Sequence, residues 1–282
     1  MKDLAALVSD AAADPAADAI LLAKQLGAHL TAIAISPEPS PLYFVASGSD
    51  VIEGDRRSAA ASARQQLDRF SEQALRSGLE FETRHIAGPI DLAAAEAARL
   101  SRHYDLTVVA QAKSDKDGAW NRILEAVLLD SGRPVIALPE WSKEPSLLTN
   151  AVLAWDGSAP AARALADALP LLRRSERVEI VTVATGDLES ERVDHSGIKR
   201  HLGRHGIGAA TRILSDGEPV SGALLAHVSE VGATLLIMGA FGHSRLREIF
   251  LGGTTVDILG FMRLCCTDRG SGGIDPHPIF FR

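Results

Sequence analysis

The chain has little with which to build a covalent or metallic scaffold. Its two cysteines, Cys265 and Cys266, are adjacent, a spacing that suits neither a disulfide framework nor a metal knuckle. Aromatic residues make up only 5% of the chain, so a core has to be packed from Ala, Leu and Val. No run of about 20 apolar residues occurs, which excludes a spanning helix. Basic residues are not in excess either. The 29 Lys and Arg face 36 Asp and Glu for a net charge of −7, leaving no basic stripe to neutralise a nucleic-acid backbone. The opening Met1 to Asp10 is too short and meets acid too early for a secretory signal. It reads as a first strand, and a cytoplasmic protein is expected.

Several catalytic signatures are missing as well. There is no Gly-x4-Gly-Lys-Ser/Thr phosphate loop, no Gly-x-Ser-x-Gly elbow and no His-Glu-x2-His pair. His201 and His205 stand four apart on an expected helix, a metal-ligand spacing, but without carboxylate or Cys company they read as a solvated face.

What is present is alternation. At 282 residues the chain suits two domains of about 140 residues each. In the first half, short apolar strands are expected at Leu4–Ser9, His29–Ile35, Phe81–Ile86, Asp105–Ala110 and Pro134–Leu138. Helices are expected at Ala13–Leu26, stopped by Gly27, and at Val51–Ser77, Leu92–Leu100 and Asn121–Asp130. The long second helix carries Ala59, Ala63, Leu67, Phe70 and Ala74 on one face. A polar linker, Glu140 to Asn150, precedes a restart. Strands are then expected at Ala151–Trp155, Val178–Val183, Ala209–Leu214 and Thr234–Met238, and helices at Ala161–Leu172, Glu189–His205 and Pro219–Val231. The halves repeat at one constant offset that aligns Gly88 with Gly217, Asp105 with Thr234, Val109 with Met238 and Ala110 with Gly239; Asp10 aligns with Asp156 if one gap is allowed. Helices between short buried strands imply parallel pairing and an α/β class.

One stretch stands out. The apolar run Thr234 to Met238 breaks at Gly239, Gly242 follows, and Gly252-Gly253-Thr254-Thr255 comes nine residues later, at an expected helix start. Glycines there let the backbone turn sharply or let a ligand approach closely, and a helix N-terminus favours an anion. The plain alternative is a turn with a Gly-rich cap. The spacing Gly239-x2-Gly242-x9-Gly252 resembles the nucleotide-binding signature of the universal stress protein family, Gly-x2-Gly-x9-Gly-(Ser/Thr). It departs from that signature where Gly253 takes the Ser/Thr slot and Thr254 follows.

The resemblance covers roughly residues 1–262. It implies a tandem member with two repeats, each a five-stranded parallel sheet in the order 3-2-1-4-5 with helices on both faces. It also implies ATP as ligand, with ADP or AMP as alternatives and Mg accompanying the nucleotide. In the second half, Asp156 would contact the ribose or adenine, and Val183 would offer main-chain groups to the adenine. Met238, Gly239, Gly242, Gly252, Gly253 and Thr254 would line the phosphates. Read from the residues alone, Asp156 is equally a helix N-cap or Asx turn, and Val183 a core strand residue. Arg245 and Arg247 face either phosphate or solvent. His243 has no visible acid or base partner, and no catalytic residue is assigned.

The expected domains are 1–142, a degenerate copy; 149–262, the nucleotide-binding copy; and 263–282, an atypical tail. The first half puts Ala110 where the second has Gly239, and Gln111 to Gly118 has no second glycine at the motif spacing. The tail shows no clean fifth strand beyond Met262 and resembles a divergent or frame-shifted terminus. Without that strand, Pro134–Leu138 would expose an edge through which copies could associate. The leading expectation is an adenine-nucleotide-binding stress-response module with at most slow ATP hydrolysis, and no nucleic-acid or membrane partner. The competing ones are an interaction module with a vestigial glycine motif and an enzyme of a related adenine-nucleotide-handling class.

Overall fold

The computed structural model describes residues 1–10, 14–38, 49–111, 118–139, 148–184, 193–215, 219–239 and 278–282. The chain divides into two compact units, Met1–Glu140 and Trp141–Arg282.

The first unit runs β1 (Asp3–Val8), α1 (Ala16–Leu26), β2 (His29–Glu38), α2 (Ser49–Ser77), β3 (Phe81–Pro89), α3 (Ile90–Ser101), β4 (Leu106–Ala110), α4 (Gly118–Asp130) and β5 (Val135–Leu138). Its strands are parallel and lie in the order β3-β2-β1-β4-β5. The central β1 and β4 are almost wholly buried, as continuous apolar runs covered on both faces should be. The edge strand β3 carries exposed Glu82, Thr83, Arg84 and His85, and the charges of Glu82 and Arg84 discourage edge pairing. Helix α1 ends where its sequence says. Gly27 is left-handed at φ 62, and Ala28 N–H returns to the Ala23 carbonyl, the closure a glycine permits without a Cβ clash. Ala63, Phe70 and Ala74 form the buried stripe of α2, with Leu67 packed beside Val8, Ala34 and Ala63.

The second unit runs β6 (Asn150–Ala154), α5 (Ala159–Leu172), β7 (Arg177–Val183), α6 (His195–Arg204), β8 (Ala210–Leu214), α7 (Val220–Glu230), β9 (Leu235–Met238) and β10 (Ile279–Phe281). Its order is β8-β7-β6-β9-β10, again parallel. The 3-2-1-4-5 topology therefore occurs twice.

Two expectations are corrected here. The helix expected from Glu189 begins at His195. Asp194 caps it by accepting from Gly197 N–H at 2.8 Å, and an Asp in that role ends the preceding non-helical chain. The second correction concerns the tail, which does hold a fifth strand. Ile279, Phe280 and Phe281 are fully buried and pair with Leu236, Ile237 and Met238. The sequence carried a signal for it. Leu236 N–H donates to the Pro278 carbonyl as Thr107 N–H donates to that of Pro134, so Pro278-Ile279-Phe280 answers Pro134-Val135-Ile136. The premise for an unpaired edge, a second unit without its fifth strand, falls with it. Cys265 and Cys266 lie outside the described residues.

Candidate functional site at the carboxyl ends of β6, β7 and β9

In the second unit the chain passes from β6 to β7 to β8 on one side, then crosses to β9 on the other side of β6. The strand order therefore reverses between β6 and β9, and the carboxyl ends of strands at such a switch point are where this class of sheet takes ligands. Asp156, Val183, Met238 and Gly239 all stand at those ends. Gly242, Gly252, Gly253 and Thr254, together with His243, Arg245 and Arg247, lie outside the described residues.

Asp156 is exposed, and its Oδ1 accepts from Ser158 N–H at 2.9 Å. That is an Asx turn, followed through by Gly157 at φ 77. The N-cap role belongs to Ser158, whose Oγ accepts from Ala161 N–H at 3.2 Å. With Pro160 in the first turn as well, the start of α5 has little donor capacity left for an anion. The turn uses only Oδ1 of the Asp156 carboxylate.

Gly239 has a packing reason that sequence alone did not show. A Cβ built there would stand 2.6 Å from both Ala161 N and Pro160 C, and 2.8 Å from Pro160 Cβ. The first turn of α5 therefore sits directly on the end of β9, an approach that only glycine allows. Met238 is buried, and its carbonyl accepts from Arg282 N–H at 3.3 Å.

The end of β7 is built by a side chain. Trp155 N–H donates to the Val181 carbonyl at 2.8 Å. The next bond of a parallel ladder would run from Val183 N–H to the Trp155 carbonyl. Instead that carbonyl accepts from the Thr182 hydroxyl at 2.5 Å, and the β6–β7 ladder stops at Ala154 with Val181. Thr182 Oγ1 lies 2.9 Å from His195 Nε2. Because the single hydroxyl proton goes to Trp155, the imidazole donates from Nε2. Neither Thr182 nor His195 figured in the sequence reading.

The corresponding end of the first unit differs. The registers that pair Leu4 with Leu106 and Ala151 with Leu235 put Ser9, not Asp10, at the position of Asp156. Ala34 stands where the second unit has Thr182, and the ladder there runs one pair further, Val8 with Ala34. Beyond β4, the buried Trp120 donates from Nε1 to the Ala110 carbonyl at 2.8 Å, and Gln111 is buried beside it in the chain. A cavity of about 510 Å³ in this unit lies at the other, amino ends of its strands, lined by Asp3, His29, Glu82, Arg84, His103 and Tyr104 among others.

Among the described residues no group of three or more His, Cys, Asp or Glu could hold a metal ion. His205 Nδ1 accepts from Arg173 at 2.9 Å, and its ring meets that of His201 edge to face. No described helix is long and apolar enough to cross a membrane.

Both units are doubly wound, five-stranded parallel α/β folds, a class that takes ligands at the switch point just described. No protein-family model matches the sequence, and no curated protein matches it. Solved structures do. A universal stress protein from Archaeoglobus fulgidus DSM 4304 is similar at 21% identity, over 98% of this chain and 97% of that one, with a TM-score of 0.70. A functionally unknown protein, PA1789, from Pseudomonas aeruginosa PAO1 is similar at 13% identity, over 100% of this chain and 92% of that one, with a TM-score of 0.60. A putative universal stress protein from Pseudomonas aeruginosa UCBPP-PA14 is similar at 12% identity, over 99% and 92%, with a TM-score of 0.56. The fold of this chain is that of the universal stress proteins, in a tandem form.

Proposed function

We propose that the second unit binds an adenine nucleotide, ATP in the first instance, and that the chain acts as a stress-response binding or regulatory module of the universal stress protein family. The observation that carries this reading is the end of β7. There the Val183 N–H and carbonyl stand outside the β6 ladder, at the same end of the sheet as the exposed carboxylate of Asp156. A backbone donor and acceptor and a carboxylate at one end of the sheet suit the base and ribose of a nucleoside. Gly239 and the motif residues Gly242, Gly252, Gly253 and Thr254 would take the phosphates, with Mg accompanying them. Hydrolysis would be slow at most.

The first unit is proposed to be the non-binding copy. Its Ile35 N–H is spent on the Val8 ladder, Ala110 replaces Gly239, and Trp120 occupies the carbonyl at the end of β4. Association of copies through a sheet edge has no support left from a missing strand.

Calorimetry with ATP tests the reading on the intact chain, on Gly242→Trp and on Asp156→Asn. Asparagine still accepts from Ser158 N–H, so the turn survives while the charge is lost. One nucleotide per chain, abolished by Gly242→Trp and weakened about tenfold by Asp156→Asn, the effect of one charge-assisted hydrogen bond, is expected. No binding by the intact chain overturns the proposal.

A further inference from the structure

We infer that Thr182, held in place by His195, converts the end of β7 into an edge that reads the nucleotide base; this rests on the nucleotide-binding reading above. Residues 181 and 183 of β7 direct their N–H and carbonyl groups toward β6, and residues 182 and 184 toward β8, as the bond from Ala184 N–H to the Leu214 carbonyl shows. In a continued ladder Val183 N–H would donate to the Trp155 carbonyl, and a hydroxyl donor on that carbonyl competes for the place. The Thr182 hydroxyl is that donor, at 2.5 Å.

The molecule holds its own control. The first unit has Ala34 at the same register position, with no hydroxyl to offer. There the ladder closes one pair further, Val8 with Ala34, which consumes the Ile35 N–H. The hydroxyl is present where the edge is open and absent where it is closed.

His195 keeps that hydroxyl aimed. Thr182 is only 3% exposed. Its oxygen receives the Nε2–H of His195 at 2.9 Å and gives its own proton to Trp155, so the rotor is fixed at both ends. His195 is in turn fixed as the first residue of α6 by the Asp194 cap, whose Oδ1 accepts from Gly197 N–H and from Ser196 Oγ, each at 2.8 Å. Thr182 and His195 are positioning residues; the groups that meet the base are those of Val183.

The chemistry of the edge defines its ligand. One backbone donor and one acceptor match a ring nitrogen acceptor beside an exocyclic amine, as adenine presents. Hypoxanthine in the same pose presents a donor and an acceptor in the reverse order, so ATP should bind more tightly than ITP.

The test combines calorimetry with ATP and ITP and amide hydrogen exchange at Val183, on the intact chain and on Thr182→Ala, Thr182→Ser and His195→Ala. In Thr182→Ala the Val183 amide is expected to exchange more slowly, as the ladder closes. ATP affinity should fall about five- to tenfold, the worth of one hydrogen bond, and the ATP-over-ITP preference should shrink. Thr182→Ser should restore all three, and His195→Ala should shift them part of the way. Equal ATP binding and equal Val183 exchange in the intact chain and Thr182→Ala would overturn the inference and leave nucleotide binding standing. An intact chain that binds neither nucleotide would overturn the nucleotide reading and the base-reading role together, whatever the exchange at Val183.

Discussion

Gly239 and Ala161 are in such close approach that a methyl group on Gly239 would stand 2.6 Å from the Ala161 nitrogen. The two nearest obstructing atoms are backbone, and Ala161 N–H is already held by Ser158, so the helix cannot give way locally. Gly239→Ala should cost about 1–3 kcal/mol, the range for overpacking a tight contact. It should also weaken ATP binding, because α5 must move off the end of β9. Urea unfolding of the variant beside Gly208→Ala, where a Cβ would meet nothing within 4 Å, checks that the cost is local to this contact.

A second link ties helix to strand within the same unit. His227 on α7 is buried, and its Nε2 lies 2.7 Å from Glu179 Oε2 on β7. Its Nδ1 has no hydrogen-bond partner, although Glu230 Oε2 is 3.7 Å away. His227→Ala removes buried volume and strands a largely buried carboxylate, at an expected cost of at least about 2 kcal/mol. Glu179→Gln keeps an acceptor for Nε2 and should cost about 1 kcal/mol. Denaturant midpoints should rank the two in that order.

Asp105 gives the first unit an acid-sensitive contact. Burial alone would raise its carboxyl, but its Oδ2 accepts from Lys2 N–H at 2.5 Å and Asp3 N–H at 3.3 Å. Those donors, with Arg133 nearby, hold it below the usual carboxylate range. Because the folded value is the lower one, the unfolded chain binds the proton first. The stabilisation is complete above the unfolded value of about 3.9 and is lost as pH falls below it through the folded value. Unfolding of Asp105→Asn should therefore show a shallower loss of stability below about pH 4 than that of the unaltered chain. Equal slopes would remove Asp105 from the account.

The closing strand can be weighed by truncating one of its two phenylalanines. Phe280 is wholly buried between the β9 pairings of Ile279 and Phe281, and Phe280→Ala should cost about 3–5 kcal/mol. An exposed position such as Leu92 should tolerate the same change to within about 0.5 kcal/mol.

What the sequence determined by itself was whatever local pattern can encode. Continuous apolar runs at Leu4 to Val8 and Thr234 to Met238, the Ala-rich stripe of α2 and the stop at Gly27 specify strands, helices and their repetition. From these a parallel α/β class follows, while the strand order 3-2-1-4-5 was implied only by the resemblance to the universal stress proteins. That implied order put Asp156, after the first strand of the second half, and Gly239, after the fourth, at the ends of neighbouring strands.

Only the tertiary structure decided what those ends do. Gly239 was marked as a place for close approach, yet the group that approaches in the structure is the first turn of α5. The fifth strand of the second unit was missed because three residues after Pro278 are too few to show a period; their burial and register against β9 identify them. The opening of β7 depends on Thr182, His195 and Trp155, spaced 13 and 27 residues from one another in the chain. Hydrogen bonds over such separations leave no periodic trace in sequence. A hydroxyl that displaces one ladder bond is legible only when both strands are in place.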